Sequence, residues 1–133
     1  MLDDLEFTNN WFGHNAEKIW NQLLPQIKPT KILEIGSYEG RSTCYLIEKN
    51  NWAEECEIHC IDNWEGGFEE KKINDLQDKL IEERFDYNTK LLIDKVSSTI
   101  NLVKHKGFSD HKLSWLLSNG YANYFDFVYI DGS

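Results

Sequence analysis

Lys31-Ile32-Leu33-Glu34-Ile35-Gly36-Ser37-Tyr38-Glu39-Gly40-Arg41-Ser42 is the stretch that decides the fold. Ile32, Leu33 and Ile35 form a short apolar run broken by a single acid, the pattern of a buried strand. Two glycines and small polar residues then lead into Ser42-Thr43-Cys44-Tyr45-Leu46-Ile47-Glu48, which has helical character. A buried strand, a tight glycine-bearing turn and a helix start make the first half of a βαβ unit. In open α/β sheets, ligands gather at the carboxyl ends of strands, where such turns expose backbone N–H groups. Glu34 to Ser42 therefore reads as a ligand-binding turn.

What the turn lacks narrows the ligand. A dinucleotide fingerprint, G-x-G-x-x-G, brings pyrophosphate against bare backbone. Counted from Gly36, Tyr38 and Arg41 occupy its later glycine positions. A P-loop, G-x-x-x-x-G-K-[ST], needs a longer spacer than Ser37-Tyr38-Glu39 and a lysine where Arg41 stands. Glu34 and Glu39 would also face a polyphosphate with like charge, which is costly where water is scarce. A ligand with a cationic end and no phosphate suits the turn. S-adenosylmethionine, with an ammonium and a sulfonium, is such a ligand.

Glu34-x-Gly36-x-Tyr38-x-Gly40-x-Ser42 resembles motif I of class I S-adenosylmethionine-dependent methyltransferases. The likeness is to the variant with an aromatic residue in place of the middle glycine, found in catechol-type O-methyltransferases and the methyltransferase domain 24 group. It extends through Asn10-Trp11-Phe12, Ile61-Asp62-Asn63-Trp64-Glu65-Gly66, Glu83-Arg84-Phe85 with Asn88, and Phe125 to Ser133. The resemblance implies that Glu34 takes the cofactor ammonium, and that the N–H groups of Ser37 to Gly40, with Ser42, hold its carboxylate. It implies that Asp62 fixes the ribose, with Asn63 and Trp64 flanking the adenosine. Ser109 and Asp110 would meet the adenine, and Asp131 would lie beside the reacting methyl as cofactor-side or catalytic group. In the metal-dependent branch an Asp at this place helps ligate a divalent cation, but a lone carboxylate makes no metal site. S-adenosylhomocysteine would be the product form of the cofactor.

Composition bounds the partners. At 133 residues, 41% hydrophobic and 14% aromatic, the chain is at most one packed domain. A net charge of −9 argues against nucleic acid or an anionic membrane as a direct partner, since either needs a basic face. No stretch is apolar for long enough to span a bilayer, and Met1-Leu2-Asp3-Asp4 lacks the basic start of a secretory signal. Cys44, Cys56 and Cys60 cannot all pair and form no C-x-x-C, which fits reduced thiols in the cytoplasm. Cys56, His59 and Cys60 together suggest a zinc site, but His59 and Cys60, neighbours on a strand, point to opposite faces and cannot converge on one ion.

Along the chain, Ala16, Ile19, Trp20, Leu23 and Leu24 have helical spacing over residues 15–27, closed by Pro25, Pro29 and Thr30. Trp11-Phe12 ahead of it are either a plug on the core or, by resemblance, part of a lid. Glu57 to Asp62 is a second strand, and an acid at its tip is where α/β sheets meet ribose hydroxyls; a turn-capping Asp is the plainer alternative. Residues 73–93 carry a helical stripe in one or two helices, with Glu82-Glu83 and other charges on a solvated face. Thr99 to His105 is a third strand, and Ser109 or Asp110 can equally cap the helix near His111 to Leu117. Phe125 to Ile130, almost wholly apolar, reads as a central fourth strand. Tyr38 either packs or lies against the cofactor.

The expected fold is α/β: a Rossmann-like, doubly wound parallel sheet in the order 3-2-1-4, incomplete because the further strands of a full domain are absent. Residues 1–30 form an N-terminal helical segment and 31–133 a partial methyltransferase domain. The leading function is S-adenosylmethionine-dependent methylation of an oxygen or nitrogen on a small-molecule acceptor. A truncated, non-catalytic S-adenosylmethionine-binding module is the first alternative, and a nicotinamide-dependent oxidoreductase the second. The unpaired edge of the fourth strand is a template for a homodimer.

Overall fold

The computed structural model describes residues 5–7, 12–13, 16–65 and 75–131, with side chains at all of these except 75–80. Helix α1 spans Glu17–Ile27, strand β1 Lys31–Ile35, helix α2 Arg41–Lys49 and strand β2 Glu55–Asp62. Helix α3 then spans Asp75–Lys95, strand β3 Thr99–Lys106, helix α4 Ser109–Ser118 and strand β4 Phe127–Ile130. The strands form one sheet in the order β3-β2-β1-β4 with every pairing parallel, the doubly wound Rossmann-like arrangement.

Strand alternation divides the core between two faces. Ile32, Ile58 and Cys60 face one side, where they pack with Trp20 and Leu24 of α1, Leu46 and Ile47 of α2, and Ile81, Phe85 and Leu92 of α3. Leu33, Ile35 and Ile61 face the other, where Leu116 of α4 covers them with Tyr121 and Phe125 alongside. Phe12 is a core plug, with its ring 4.6 Å from Trp20 and 5.2 Å from Tyr45; Trp11 lies outside the described residues. All three cysteines are free and buried. Among the described residues, no helix is long and apolar enough to cross a membrane.

Four expectations need correction. Pro25 lies inside α1; the helix is closed instead by left-handed Lys28, whose N–H donates to the Leu24 carbonyl at 2.8 Å. The buried stripe of α1 is narrow, Ala16, Trp20 and Leu24, leaving Ile19 57% and Leu23 39% exposed. Within the four-strand sheet of the described residues β4 pairs with β1 alone and lies at the margin, with Ile130 68% exposed, while β1 is paired on both sides. An apolar run reports burial on sheet faces, and says nothing about rank within the sheet. The charged side of α3 is more than a solvated face: Glu82 Oε2 accepts from Lys104 Nζ at 2.7 Å and its Oε1 from Lys106 Nζ at 2.5 Å. The stripe over 73–93 is one helix, though Ile73 and the side chains of Leu76 and Leu80 lie outside the described residues, as do Gly66-Gly67.

Candidate functional site

Three backbone hydrogen bonds carry the sheet ladder past its ends and draw the strand tips together. Gly36 N donates to Ile61 O at 2.8 Å, Gly107 N to Asp62 O at 3.0 Å, and Asp131 N to Ile35 O at 2.8 Å. Gly36, Asp62, the approach to Ser109 and Asp110, and Asp131 therefore line one edge, as the sequence leads one to expect.

The turn between β1 and α2 is tight and partly left-handed. Gly36 has φ 89°, Tyr38 φ 51° and Gly40, the N-cap of α2, φ 86°. Gly40 N donates to Ser37 O at 2.8 Å, and no side chain caps α2. The amides of Tyr38 and Gly40 are thus engaged within the protein, and the uncapped first turn of α2 supplies the donors that suit an anion. Ser42 is buried in that turn.

Asp62 works between the two turns. Its Oδ2 accepts from Tyr38 N at 2.8 Å and its Oδ1 from Trp64 N at 2.8 Å. Each oxygen keeps acceptor capacity for a ligand hydroxyl. Trp64 does not flank an open crevice: it is 1% exposed, packs 5.0 Å from the Phe85 ring, lies under the Lys104 ammonium and donates Nε1–H to Tyr38 O at 2.9 Å. Asn63 accepts from Glu65 N at 3.0 Å, a local turn bond. Ser109 and Asp110 are exposed at the start of α4, where Phe108 is the N-cap; Asp110 Oδ1 accepts from His111 N at 2.9 Å in place of a cap.

Glu34 is fully buried on the α2 side of β1. One carboxylate oxygen accepts from Thr43 Oγ1 at 2.7 Å; the other, like the nearby buried Ser37 hydroxyl, has no hydrogen-bond partner. Burial pushes its carboxyl up to about 7 against the opposing hydroxyls of Thr43, Ser37 and Ser42, with Asp131 adding to the rise. At this site the folded protein binds a proton more tightly than the unfolded chain, so the contribution of Glu34 to stability falls as pH rises from about 4.5 to about 7 and then levels off. Glu34→Gln should flatten that slope and be more stable than wild type at pH 8 by up to about 3 kcal/mol. Equal slopes in urea melts from pH 5 to 8 would contradict this.

Residues from the distant part of the motif set brace the turn. Phe85 lies beneath Gly40, Arg84 pairs with buried Glu39 at 3.3 Å, and Asn88 donates Nδ2–H to Glu39 O at 3.0 Å. Asn88 also bonds Glu6 twice, accepting from its N–H at 2.7 Å and donating to its carbonyl at 2.9 Å.

A half-buried polar chain around His59 went unseen in the sequence. His59 lies between Glu57, at 2.6 Å from Nε2, and His105, at 2.8 Å from Nδ1, while Tyr124 donates to Glu57 at 2.7 Å. Alternation places Glu57 and His59 on one face, but their partners come from β3 and the loop before β4. Cys60 lies on the opposite face. Among the described residues, no group of three or more His, Cys, Asp or Glu could hold a metal ion. An open hollow of about 620 Å³ at the opposite pole, lined by Asn50, Trp52, Glu54 and Ser98 among others, touches none of the site residues.

Residues 33–133 match the family described as "Methyltransferase domain". Among solved structures, the fold is similar to that of the O-methyltransferase from Bacillus cereus in complex with SAH, at TM-score 0.54 and 18% identity over 98% of this chain and 49% of that one. It is also similar to a Klebsiella pneumoniae protein described as a candidate O-methyltransferase, at TM-score 0.58 and 18% identity over 97% of this chain and 47% of that one. The chain spans about half the length of these structures. No curated protein matches it.

Proposed function

Because the chain belongs to the methyltransferase-domain family, we propose that its strand-tip edge binds S-adenosylmethionine and serves methyl transfer to an oxygen or nitrogen of a small molecule. The observation that carries this reading is the meeting of a glycine turn, an uncapped helix start and the Asp62 carboxylate at one edge. The residues suit the cofactor chemically. The open first turn of α2, with Ser37 and Ser42, would receive its carboxylate, and Glu34 its ammonium, directly or through water. Asp62 would accept from the ribose hydroxyls through its remaining lone pairs, and Ser109 and Asp110 would meet the adenine. When bound, the cofactor supplies an electrophilic methyl group. Asp131, exposed at the β4 tip, would orient the acceptor or take its proton. Holding both reactants at one edge turns a bimolecular encounter into a local one.

Calorimetric titration with S-adenosylhomocysteine, set beside methylation turnover on a panel of hydroxyl and amine acceptors, tests this. Binding with turnover supports it, and no binding at millimolar ligand would overturn it. Binding without turnover supports a second reading, a cofactor-binding module. The net charge of −9 supports a small-molecule acceptor over nucleic acid, and the buried free cysteines support a cytoplasmic location. A homodimer through the outer edge of β4 remains our expectation; a monodisperse monomer in light scattering at micromolar concentration would remove it.

A further inference from the structure

Tyr38 carries an unusual backbone. Its φ of 51° lies in the left-handed region that glycine enters freely and a tyrosine enters at a cost. Both peptide groups flanking its Cα are held by side chains from one other turn. The N–H before it donates to Asp62 Oδ2 at 2.8 Å, and the carbonyl after it accepts from Trp64 Nε1 at 2.9 Å. Fixing both peptide planes fixes φ and ψ together. The ring of contacts closes on itself, because Asp62 Oδ1 also accepts from Trp64 N, and Trp64 is itself left-handed at φ 54°. Trp64 cannot swing away cheaply: its ring is 1% exposed, against Phe85 and below Lys104.

We propose that Asp62 and Trp64 form a clamp that holds Tyr38 left-handed and so shapes the turn that receives the ligand. Trp64 is then a positioning residue that acts on the ligand through the backbone of Tyr38, while Asp62 serves the clamp as well as the ribose. The consequence for ligand affinity rests on the cofactor reading above; the backbone part stands without it.

Trp64→Phe keeps an aromatic ring and removes the indole N–H. On the Tyr38 background it should weaken S-adenosylhomocysteine about tenfold, the scale of one lost hydrogen bond with its unpaired carbonyl, and lower the urea midpoint. Tyr38→Gly supplies the left-handed conformation without help, so on that background Trp64→Phe should still lower the midpoint, because the residue-38 carbonyl loses its partner either way, but should change affinity by less than about a third as much on the logarithmic scale. A tryptophan that does not act through the residue-38 backbone would weaken binding by the same factor on both backgrounds, and that result would overturn the proposal. Were the wild type not to bind S-adenosylhomocysteine, the cofactor reading would fall, and amide hydrogen exchange would still decide the clamp. Should Trp64→Phe not fold, amide hydrogen exchange in the wild type decides instead. Protection of the Tyr38 N–H comparable to that of Gly36 supports the clamp, and exchange at open-loop rates overturns it.

Discussion

Asp62→Ala should weaken S-adenosylhomocysteine binding by about 1.5–3 kcal/mol, roughly 10- to 150-fold, and lower stability in the same variant. The carboxylate accepts from the N–H groups of Tyr38 and Trp64, each at 2.8 Å, so its removal leaves two backbone donors unpaired in a half-buried place. On the cofactor reading, the loss of a ribose partner adds to the effect on the ligand. Asp62→Asn separates the two contributions: the amide keeps one acceptor oxygen, so part of the stability should return while affinity stays low. Calorimetry and urea melts on the pair measure both quantities. An unchanged dissociation constant for the alanine variant would remove Asp62 from the site.

Gly40→Val should cost about 3–5 kcal/mol of stability, a large share of the total for a small domain. Two causes combine. At φ 86° any side chain is strained, and a β-branched one most. A Cβ there would also stand 3.0 Å from Phe85 Cδ2 and 3.5 Å from Thr89 Cγ2, both on α3 and both buried. Gly120 offers the control, since it has φ 91° but nothing within 4 Å of the corresponding position. Gly120→Ala should therefore lose about 1 kcal/mol from backbone strain alone. The excess loss in Gly40→Ala over Gly120→Ala isolates the collision with Phe85. Equal losses would show that α3 gives way and that the turn does not depend on it.

The legible part of this chain was the part written in local pattern. The run Ile32 to Ile35 ending at Gly36, and the run ending at Asp62, announce buried strands and their tips, and parallel pairing follows from the helices between them. Once the tips are placed, so are Gly36, Asp62 and Asp131. Contacts made over long sequence separations were not legible. A tryptophan two residues after an acid reads equally as a platform beside a ligand or a strut beneath a turn; only its packing on Phe85 decides. Glu82 reads as one more surface charge until β3 brings Lys104 and Lys106 to it. The chain of Glu57, His59, His105 and Tyr124 draws on three segments, of which only the first two residues share a visible period. Asn63 sits in a turn, but Ser109 and Asp110 are the first residues of α4, whose N-cap position is Phe108 with no side-chain cap bond.

Asn88 joins partners 82 and 49 residues away in the chain, Glu6 and Glu39. Loops of that length close late, because their entropy must be given up before any contact returns it. The β1-α2-β2 unit, by contrast, assembles from near neighbours. We expect the turn between β1 and α2 to be completed near the end of folding, when the residues around Glu6 dock on α3. On this view Asn88→Ala slows folding little and speeds unfolding markedly, a φ-value near zero. A φ-value near one would place this junction in the nucleus instead.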